Sequence, residues 1–341
     1  MTYAAVAMQL AARSAINAAD PRAAMLAHIG EVAGRLRGAA IFIEQYGGAP
    51  VKLAVLPEYL FTSYPARVSI PDFAAKVGWA ADGPEYEALG KVAQELGLFV
   101  AGNAYETDTH FPGLYFQASF VIAPSGDVVL RYRRLNSMYA PTPHDVWSKY
   151  LDIYGLDGVF PVARTEIGNL AAIASEEILY PEIARAHALR GAEIFVHSSS
   201  EIGSPLRTPK MIAKQARAFE NMAYVVSANT AGIDGFSDAD GNSMVVDWKG
   251  NVLAESNAGE TFTAFADIDL AALREKRRRP GMTNVLSRQR LAAFANTYTT
   301  DNHQRANTLL DADGVVSVPD RDHFNRVQAE TLERLARDGL I

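Results

Sequence analysis

The stretch of residues 168–201 reads GNLAAIASEEILYPEIARAHALRGAEIFVHSSSE. Its apolar run, residues 170–174, predicts a buried strand, and the spacing of the apolar residues after it predicts a helix that ends at Gly191. Ser175 therefore lies at a strand-to-helix turn, beside helix N–H groups that favour negative charge and can bind an oxyanion. Such a turn suits a nucleophile. It also suits a serine that only caps the helix, and the local residues favour neither interpretation.

The composition is that of a globular protein. Of the 341 residues, 49% are hydrophobic and 21% are charged, so the chain can bury a sizeable core. The net charge of −7 argues against a surface that binds nucleic acid. The basic run at residues 276–279 is typical of a solvated helix end or an interface. No apolar run reaches the length of a membrane span, and no signal sequence precedes the first strand. We therefore expect a cytoplasmic protein that binds a small molecule, with no nucleic acid and no membrane.

The chain contains no cysteine. This excludes disulfides, thiolate metal ligands and a thiol nucleophile. The seven histidines are scattered without an HxxxH or HExxH pair, which argues against a metal site. No GxGxxG sequence follows a strand and no Walker A sequence is present, which argues against a nucleotide-binding fold. We therefore expect neither a metal nor a cofactor.

Strands and helices alternate along the chain, and two hairpins interrupt them. Predicted strands lie at residues 3–10, 53–56, 98–105, 115–122, 128–132, 170–174, 224–228 and 262–268. This order predicts an α/β protein whose sheets are covered by helices. Since no Gly/Ser- or Pro-rich linker occurs before residue 280, we expect one domain over residues 1–280. Residues 281–341 are predicted to form a C-terminal extension that makes oligomer contacts, with helices near residues 285–294 and from residue 321 onward.

Glu58 directly follows a predicted buried strand, in the sequence LAVLPEYLFTSY. A carboxylate at the edge of the core suits a general base. The alternative is an ordinary solvated glutamate at a strand end, because most glutamates are exposed.

The second strand of the first hairpin continues as LRYRRLN, residues 130–136. Alternation places Arg131 and Arg133 on one face and Tyr132 and Arg134 on the other, so one guanidinium can reach an interior pocket. A basic strand edge that discourages aggregation is the alternative. The aromatic-rich residues 137–160 are predicted to be a long loop that forms a pocket wall or lid.

Six segments, taken in this order, resemble the nitrilase, or carbon-nitrogen hydrolase, superfamily over roughly residues 3–280. They are VAMQL, LPEYLFTSY, the YRR strand, ASEEILYPEIARAHALRGAE, ARAFENMAYVVSAN and GNSMVVDWKG. The resemblance implies a four-layer αββα sandwich that dimerises face to face into an αββα-αββα arrangement. It also implies C-terminal arms that often embrace the partner, so we expect a homodimer or a larger homo-oligomer.

The resemblance further implies a glutamate, lysine and cysteine triad that hydrolyses small amides, nitriles or carbamoyl compounds through a covalent thioester. Glu58 stands at the glutamate position, Arg134 where the lysine is expected, and Ser175 where the cysteine is expected. Arginine keeps the positive charge but does not give up a proton, and a hydroxyl is far less acidic than a thiol. Because two of the three positions differ and no other cysteine remains, we interpret the exchanges as divergence rather than as a designed substrate trap.

Two functional classes follow. The first is an amidase-type hydrolase with an atypical triad of Glu58, Arg134 and Ser175, in which the N–H of Glu176 helps to hold the oxyanion. The second is a catalytically silent homologue that binds a small metabolite or a protein partner. Acyl transfer would use the same residues as hydrolysis and stays open.

Six further residues are candidates for substrate binding. They are Glu176, His144, Asp145, His197, Ser198 and Ser199. Members of the family often carry a second glutamate after the lysine, and here His144 or Asp145 is the candidate for that place. Residues 197–199 are candidates because they close the strand that follows the Ser175 helix.

Overall fold

The computed structural model describes residues 2–202, 204, 206–234, 241–300 and 303–341. Its strands are β1 Thr2–Gln9, β2 Ala11–Ala12, β3 Val51–Val55, β4 Phe99–Thr107, β5 Tyr115–Ile122, β6 Val128–Arg133, β7 Ala163–Thr165, β8 Gly168–Ala174, β9 Ile194–Ser199, β10 Tyr224–Asn229, β11 Gly232–Ile233, β12 Met244–Val246, β13 Val252–Glu255 and β14 Thr261–Asp269. Its α-helices are α1 Pro21–Gly47, α2 Ile70–Val77, α3 Pro84–Leu96, α4 Trp147–Val159, α5 Pro181–Leu189, α6 Pro209–Asn221, α7 Leu270–Arg278, α8 Ala295–Thr300 and α9 His323–Arg337. Within these residues, every helix is too short or too polar to cross a lipid bilayer.

Two six-stranded sheets form the centre of the molecule. Their strand orders are β14-β1-β3-β4-β5-β6 and β13-β12-β10-β9-β8-β7. In each sheet three neighbouring strands are parallel: β1, β3 and β4 in the first, and β8, β9 and β10 in the second. Parallel neighbours need a crossover connection, usually a helix, and here α1 and α3 pack on the first sheet while α5 and α6 pack on the second.

Two clusters of buried apolar side chains hold the four layers together. The cluster between the sheets includes Leu53, Phe99, Ala172 and Val226. The cluster beneath α1 includes Met25, Ile29, Val32 and Leu36, which recur at the three- and four-residue spacing of one helix face. The layers are therefore helix, sheet, sheet, helix, and the predicted αββα sandwich is confirmed. Its dimerisation stays a prediction.

Helix α1 begins and ends where its sequence signals lie. The Asp20 side chain accepts a hydrogen bond from the Ala23 N–H at 3.0 Å, and Pro21 occupies the first helical position. At the other end Gly48 adopts φ 82° and donates its N–H to the Glu44 carbonyl at 3.3 Å. A residue with a Cβ is disfavoured in this left-handed conformation, so the glycine sets the end of the helix.

The segment predicted as a loop over residues 137–160 contains α4. A short 3-10 helix, Pro143–Val146, leads directly into it. Gly155, with φ 60° and ψ −177°, interrupts α4, and only Tyr150 and Val159 are buried along its length. Trp147, Tyr150, Leu151 and Tyr154 nevertheless stand at helical spacing and belong to or pack against the apolar cluster beneath α1. The loop prediction gave this spacing too little weight beside the prolines and glycines that flank it.

The C-terminal extension also differs in detail from its prediction. The helix expected near residues 285–294 is replaced by two 3-10 turns, Leu286–Arg288 and Leu291–Ala293. The charged helix is α9. The chain before α9 packs on the segment that precedes α4: the Asn307 N–H donates to the His144 carbonyl and the Leu309 N–H to the Asp145 carbonyl, both at 2.9 Å.

Candidate active site

Glu58, Arg134 and Ser175 line one cavity with a volume of about 430 Å³. Each of them follows the carboxyl end of a strand: Glu58 comes after β3, Arg134 after β6 and Ser175 after β8. All three are buried, with exposed fractions of 2%, 9% and 5%. A cavity of this size can hold a small organic molecule.

Ser175 has a backbone conformation that is unusual for its residue type. Its φ is 49°, in the left-handed region. A non-glycine residue held there costs about 1–3 kcal/mol, and such residues cluster at functional sites. The hydroxyl forms no hydrogen bond with any other residue of the described chain, and Ala174, not Ser175, occupies the N-cap position. The helix predicted after Ser175 is divided in two: Ser175–Leu179 form a short 3-10 helix, Tyr180 is extended, and α5 begins at Pro181. The capping interpretation is therefore not supported by the geometry.

The Glu58 carboxylate is fixed by two neutral donors. Gln117 Nε2 donates to Oε1 at 2.7 Å, and Ser200 Oγ donates to Oε2 at 2.5 Å. Arg134 Nη1 lies 3.5 Å from Glu58 Oε1. These contacts hold the carboxylate as an acceptor with a defined orientation at the cavity wall.

The guanidinium of Arg134 has a partner on each side. Nη1 donates to Gln117 Oε1 at 2.6 Å, Nη2 donates to the Glu176 carboxylate, and Nε donates to the Asn136 carbonyl at 2.5 Å. Burial disfavours its charge, but the Glu176 and Glu58 carboxylates outweigh burial and raise the pKa of Arg134. Arg134 is therefore a permanent cation in this cavity.

Glu177 fixes the turn that carries Arg134. Its Oε1 accepts the N–H groups of Leu135 at 2.8 Å and Asn136 at 2.9 Å, and its Oε2 accepts the Tyr132 hydroxyl at 2.7 Å. Burial raises the pKa of Glu177, and the Arg134 charge opposes that rise. From the sequence, Glu176 and Glu177 are predicted to line or brace the pocket, and Glu177 braces the turn that carries Arg134.

Among the residues predicted to bind substrate, Glu176 lines the cavity and residues 197–199 do not. His197 lies behind Ser175, with Nε2 2.8 Å from the Ser175 carbonyl and Nδ1 2.8 Å from the Ser227 hydroxyl. Because a carbonyl only accepts, Nε2 carries the proton. Ser198 Oγ donates to the Leu56 carbonyl at 2.7 Å, and Ser199 is fully buried. These side chains support the floor of the site.

His144 and Asp145 also lie outside this cavity. The Asp145 carboxylate accepts the Thr142 N–H at 2.9 Å, the Thr142 hydroxyl at 2.8 Å and the Thr308 hydroxyl at 2.7 Å. The backbone carbonyls of His144 and Asp145 accept the N–H groups of Asn307 and Leu309 in the C-terminal extension. The two residues therefore anchor the extension to the body of the domain.

Several cavity residues were not singled out from the sequence. They are Tyr59, Tyr64, Tyr105, Gln117, Ser200 and Lys210. Tyr139, from the aromatic-rich segment predicted to form a pocket wall or lid, also lines the cavity. A signal for Gln117 exists: it is the first polar residue of the otherwise apolar start of β5, and the hairpin register pairs its neighbour Ala118 with Arg133. That register brings Gln117 next to Arg134. The part of the chain that the structure describes contains no cluster of histidine and carboxylate side chains suited to a metal ion.

Comparison with solved structures gives the same architecture. A carbon-nitrogen hydrolase from Helicobacter pylori aligns with a TM-score of 0.65 at 22% identity, covering 87% of this chain and 98% of that chain. Nit3 of Saccharomyces cerevisiae, a member of the nitrilase superfamily, aligns with a TM-score of 0.63 at 18% identity, covering 83% and 95%. At these identities the likeness establishes the fold.

Sequence comparison reaches similar proteins with assigned names. A formamidase of Bradyrhizobium diazoefficiens is 27% identical over 241 residues, which are 70% of this chain and 68% of the relative. A formamidase of Pseudomonas syringae pv. tomato is 28% identical over 68% of this chain and 64% of its own length. The omega-amidase NIT2 of Xenopus tropicalis is 24% identical over 71% and 85%.

The family match covers most of the chain and includes all three candidate catalytic residues. Residues 22–278 match the family described as carbon-nitrogen hydrolase. The class of enzyme expected from the sequence, a hydrolase that acts on carbon–nitrogen bonds, is confirmed at the level of the family. This chain belongs to the carbon-nitrogen hydrolase family.

Proposed function

We propose that this protein hydrolyses a small amide with Ser175 as nucleophile, Glu58 as general base and Arg134 as the fixed cation of the site. The observation that carries the proposal is the single cavity lined by all three side chains, in which the Ser175 hydroxyl has no hydrogen bond to another described residue. The formamidase and omega-amidase relatives support an amide over a nitrile.

The first half of the reaction forms an ester on the enzyme. Ser175 Oγ attacks the carbonyl carbon of the amide and its proton passes to the Glu58 carboxylate. The oxyanion that forms is stabilised by the Glu176 N–H, because the first N–H groups of a helix lack an intrahelical acceptor, and by the charge of Arg134. Glu58 then returns the proton to the departing nitrogen, which leaves as ammonia or an amine.

The second half releases the acid. A water molecule gives a proton to Glu58 and attacks the ester carbon, and the C–O bond to Ser175 breaks as the proton returns to Oγ. Arg134 takes part only through its charge, since a guanidinium does not give up its proton in a protein. The Arg134 guanidinium also attracts the Glu176 and Glu58 carboxylates and so keeps both of them in position.

The test measures turnover of an amide, nitrile, carbamoyl and ureido panel by the wild-type protein, Ser175→Ala, Glu58→Gln and the control Ser125→Ala. We expect amide hydrolysis by the wild type and a loss of about a thousandfold or more in Ser175→Ala. We expect a loss of about a hundredfold or more in Glu58→Gln. Ser125→Ala alters an exposed serine of the first hairpin turn, outside the cavity, and retains turnover. An acyl-serine adduct on Ser175, seen by mass spectrometry, identifies the nucleophile; unchanged turnover in Ser175→Ala contradicts the proposal.

A second candidate function is binding without turnover. It is favoured by one observation: the donors of Arg134 are already engaged by Glu176, Gln117 and the Asn136 carbonyl. In that case amides raise the melting temperature of the wild-type protein, and no acid or ammonia forms.

A further inference from the structure

A second, smaller cavity adjoins the one that contains Ser175. It has a volume of about 130 Å³ and shares two lining residues, Ser137 and Glu176, with the larger cavity. We call it the side pocket. One wall comes from the segment before α4, including Asp145, and the other comes from α9, including Gln328 and Thr331. The two cavities therefore meet at Ser137 and Glu176, next to Ser175.

The α9 wall is firmly attached to the domain. Arg321, just before α9, donates from Nε to the Val68 carbonyl at 2.7 Å and from Nη1 to the Tyr139 carbonyl at 2.8 Å. Phe324, in the first turn of α9, is buried in the apolar cluster that also lies beneath α1. The C-terminal extension thus forms a fixed part of the wall next to the catalytic cavity.

The charge at the side pocket is unbalanced. Asp145 is only 5% exposed, and its three hydrogen bonds come from the neutral donors of Thr142 and Thr308. Among the described residues no lysine, arginine or histidine side chain lies within ion-pair distance of it. Burial lowers the pKa of the neighbouring His144, so that imidazole is neutral at pH 7, and Glu176 already shares its charge with Arg134.

A carboxylate that is buried without a cation is costly, and a ligand cation beside it would recover part of that cost. The described lining of the side pocket contains two carboxylates and no lysine or arginine. We propose that the side pocket binds the distal end of the substrate as a primary ammonium group, so that the substrate is an amide carrying a terminal cation. This inference rests on the proposed function of the neighbouring cavity.

Lys210 gives a defined competitor for this assignment. It lines the larger cavity but not the side pocket, and it is half-buried. A substrate held by Lys210 would carry a carboxylate instead of an ammonium. Comparing amides that differ only in their terminal group therefore separates the two assignments.

The experiment measures binding by calorimetry to full-length Ser175→Ala protein, because binding to this variant does not depend on turnover. The probes are ε-aminocaproamide, caproamide and adipic acid monoamide, which share a chain and end in an ammonium, a methyl and a carboxylate. We expect the dissociation constant of ε-aminocaproamide to be lower than those of the other two by about tenfold, the scale of a hydrogen-bonded charge. Absence of amide turnover by the wild-type protein would contradict the proposed function, whereas the binding experiment tests the side pocket alone.

Charge variants on α9 test the location of the ammonium. Gln328 lines the side pocket and is exposed, so Gln328→Glu and Gln328→Lys change its charge without disturbing the core. Gln328→Glu is expected to tighten ε-aminocaproamide by about threefold and Gln328→Lys to weaken it similarly. Asn325 is an exposed residue of the same helix outside the side pocket, and Asn325→Lys is the matched control that leaves binding unchanged.

Three results would overturn the inference. They are equal binding of the three probes, tighter binding of adipic acid monoamide, and no binding of ε-aminocaproamide. Equal effects of Gln328→Lys and Asn325→Lys on the binding of ε-aminocaproamide would also overturn it, because the change in binding would then come from the overall surface charge and not from the side pocket.

Discussion

Ser175 is held in a left-handed backbone conformation by its surroundings. His197 Nε2 donates to its carbonyl, and the hydroxyl faces a cavity. Burial lowers the pKa of His197, and the positive charge of Lys214 lowers it further, so the imidazole stays neutral and keeps the proton on Nε2. The Ser175 backbone is thereby tied to β9 by a hydrogen bond behind the reactive side chain.

Ser175→Cys tests whether the hydroxyl limits the rate. A thiol ionises far more readily than a hydroxyl, and Glu58 is a modest base, so we expect kcat for amides to rise by about tenfold or more. Steady-state kinetics on the amide hydrolysed by the wild type measures it. Ser125→Cys adds a thiol at an exposed position outside the cavity and serves as control. A lower or unchanged kcat in Ser175→Cys would show that nucleophile acidity does not limit the reaction.

The meeting of Glu58, Arg134 and Ser175 could be predicted because each follows a strand. In the first sheet β3 and β6 run in the same direction, because β4 is parallel to β3 and two antiparallel pairings connect β4 to β6, so Glu58 and Arg134 leave the same edge. Ser175 belongs to the other sheet, and the resemblance to the family supplied its place beside them. The direction of side chains at the strand ends could not be predicted. His197 and Ser198 lie in β9 as expected, but they support Ser175 and Leu56 from behind instead of lining the cavity.

Helix α6 carries a lysine in a place that disfavours its charge. Lys214 is fully buried, and its Nζ lies 3.7 Å from Glu201 Oε2. Burial lowers the pKa of Lys214 from 10.5 to about 8, and the Glu201 charge opposes this shift only in part. Converted to free energy, this lowering of the pKa means that burying the charged amine destabilises the folded state at neutral pH by on the order of 3 kcal/mol.

Lys214→Met is expected to stabilise the protein, and the gain should depend on pH. Below about pH 8 the amine is charged in both the folded and the unfolded states, so the full penalty applies. Between the folded and unfolded pKa values the unfolded state binds more protons, so wild-type stability rises with pH and the penalty disappears. Thermal unfolding of both proteins at pH 7 and pH 10 measures this.

The matched control is Lys76→Met, which changes an exposed lysine of α2. Its effect on the melting temperature should be small at both pH values. A Lys214→Met protein that is less stable than the wild type at pH 7 would mean that the pairing with Glu201 outweighs the cost of burial.

Elements with a regular apolar face could be predicted, and irregular ones could not. Helix α1 has buried residues at helical spacing between Asp20-Pro21 and Gly48, so its bounds follow from the sequence. Helix α4 has apolar residues at helical spacing from Trp147 to Tyr154, but Gly155 interrupts it and the preceding prolines favour a loop. Residues of the 285–294 segment are half-buried or exposed, so no buried stripe fixes its structure, and its conformation depends on tertiary contacts.

At the scale of the whole molecule, apolar side chains remain exposed on the second sheet's helical layer and the extension. Leu189 of α5 is 52% exposed and Phe294 is 56% exposed, and both line a groove of about 500 Å³. Contiguous exposed apolar surface is typical of protein contacts. It fits the homodimer predicted from the sequence, which stays a prediction.

The dimer is tested by sedimentation of the wild-type protein over a range of concentrations. We expect a species of twice the chain mass, which dissociates more readily in Leu189→Asp because a charge replaces an apolar contact. Ile41→Asp changes an exposed apolar residue of α1, outside the groove and outside the extension, and leaves the assembly intact. A monomer at all concentrations would exclude the predicted assembly.

The hydroxyl at Ser175, in a chain without a single cysteine, sets the sensitivity of the protein to its redox environment. Peroxide converts reactive thiolates to sulfenic and sulfinic acids, and glutathione caps them as mixed disulfides. Neither reaction has a cysteine target in this chain. Oxidative stress that inactivates a thiol-dependent hydrolase would therefore leave the nucleophile proposed here intact. A covalent inhibitor of this protein would have to react with a hydroxyl group instead of a thiol.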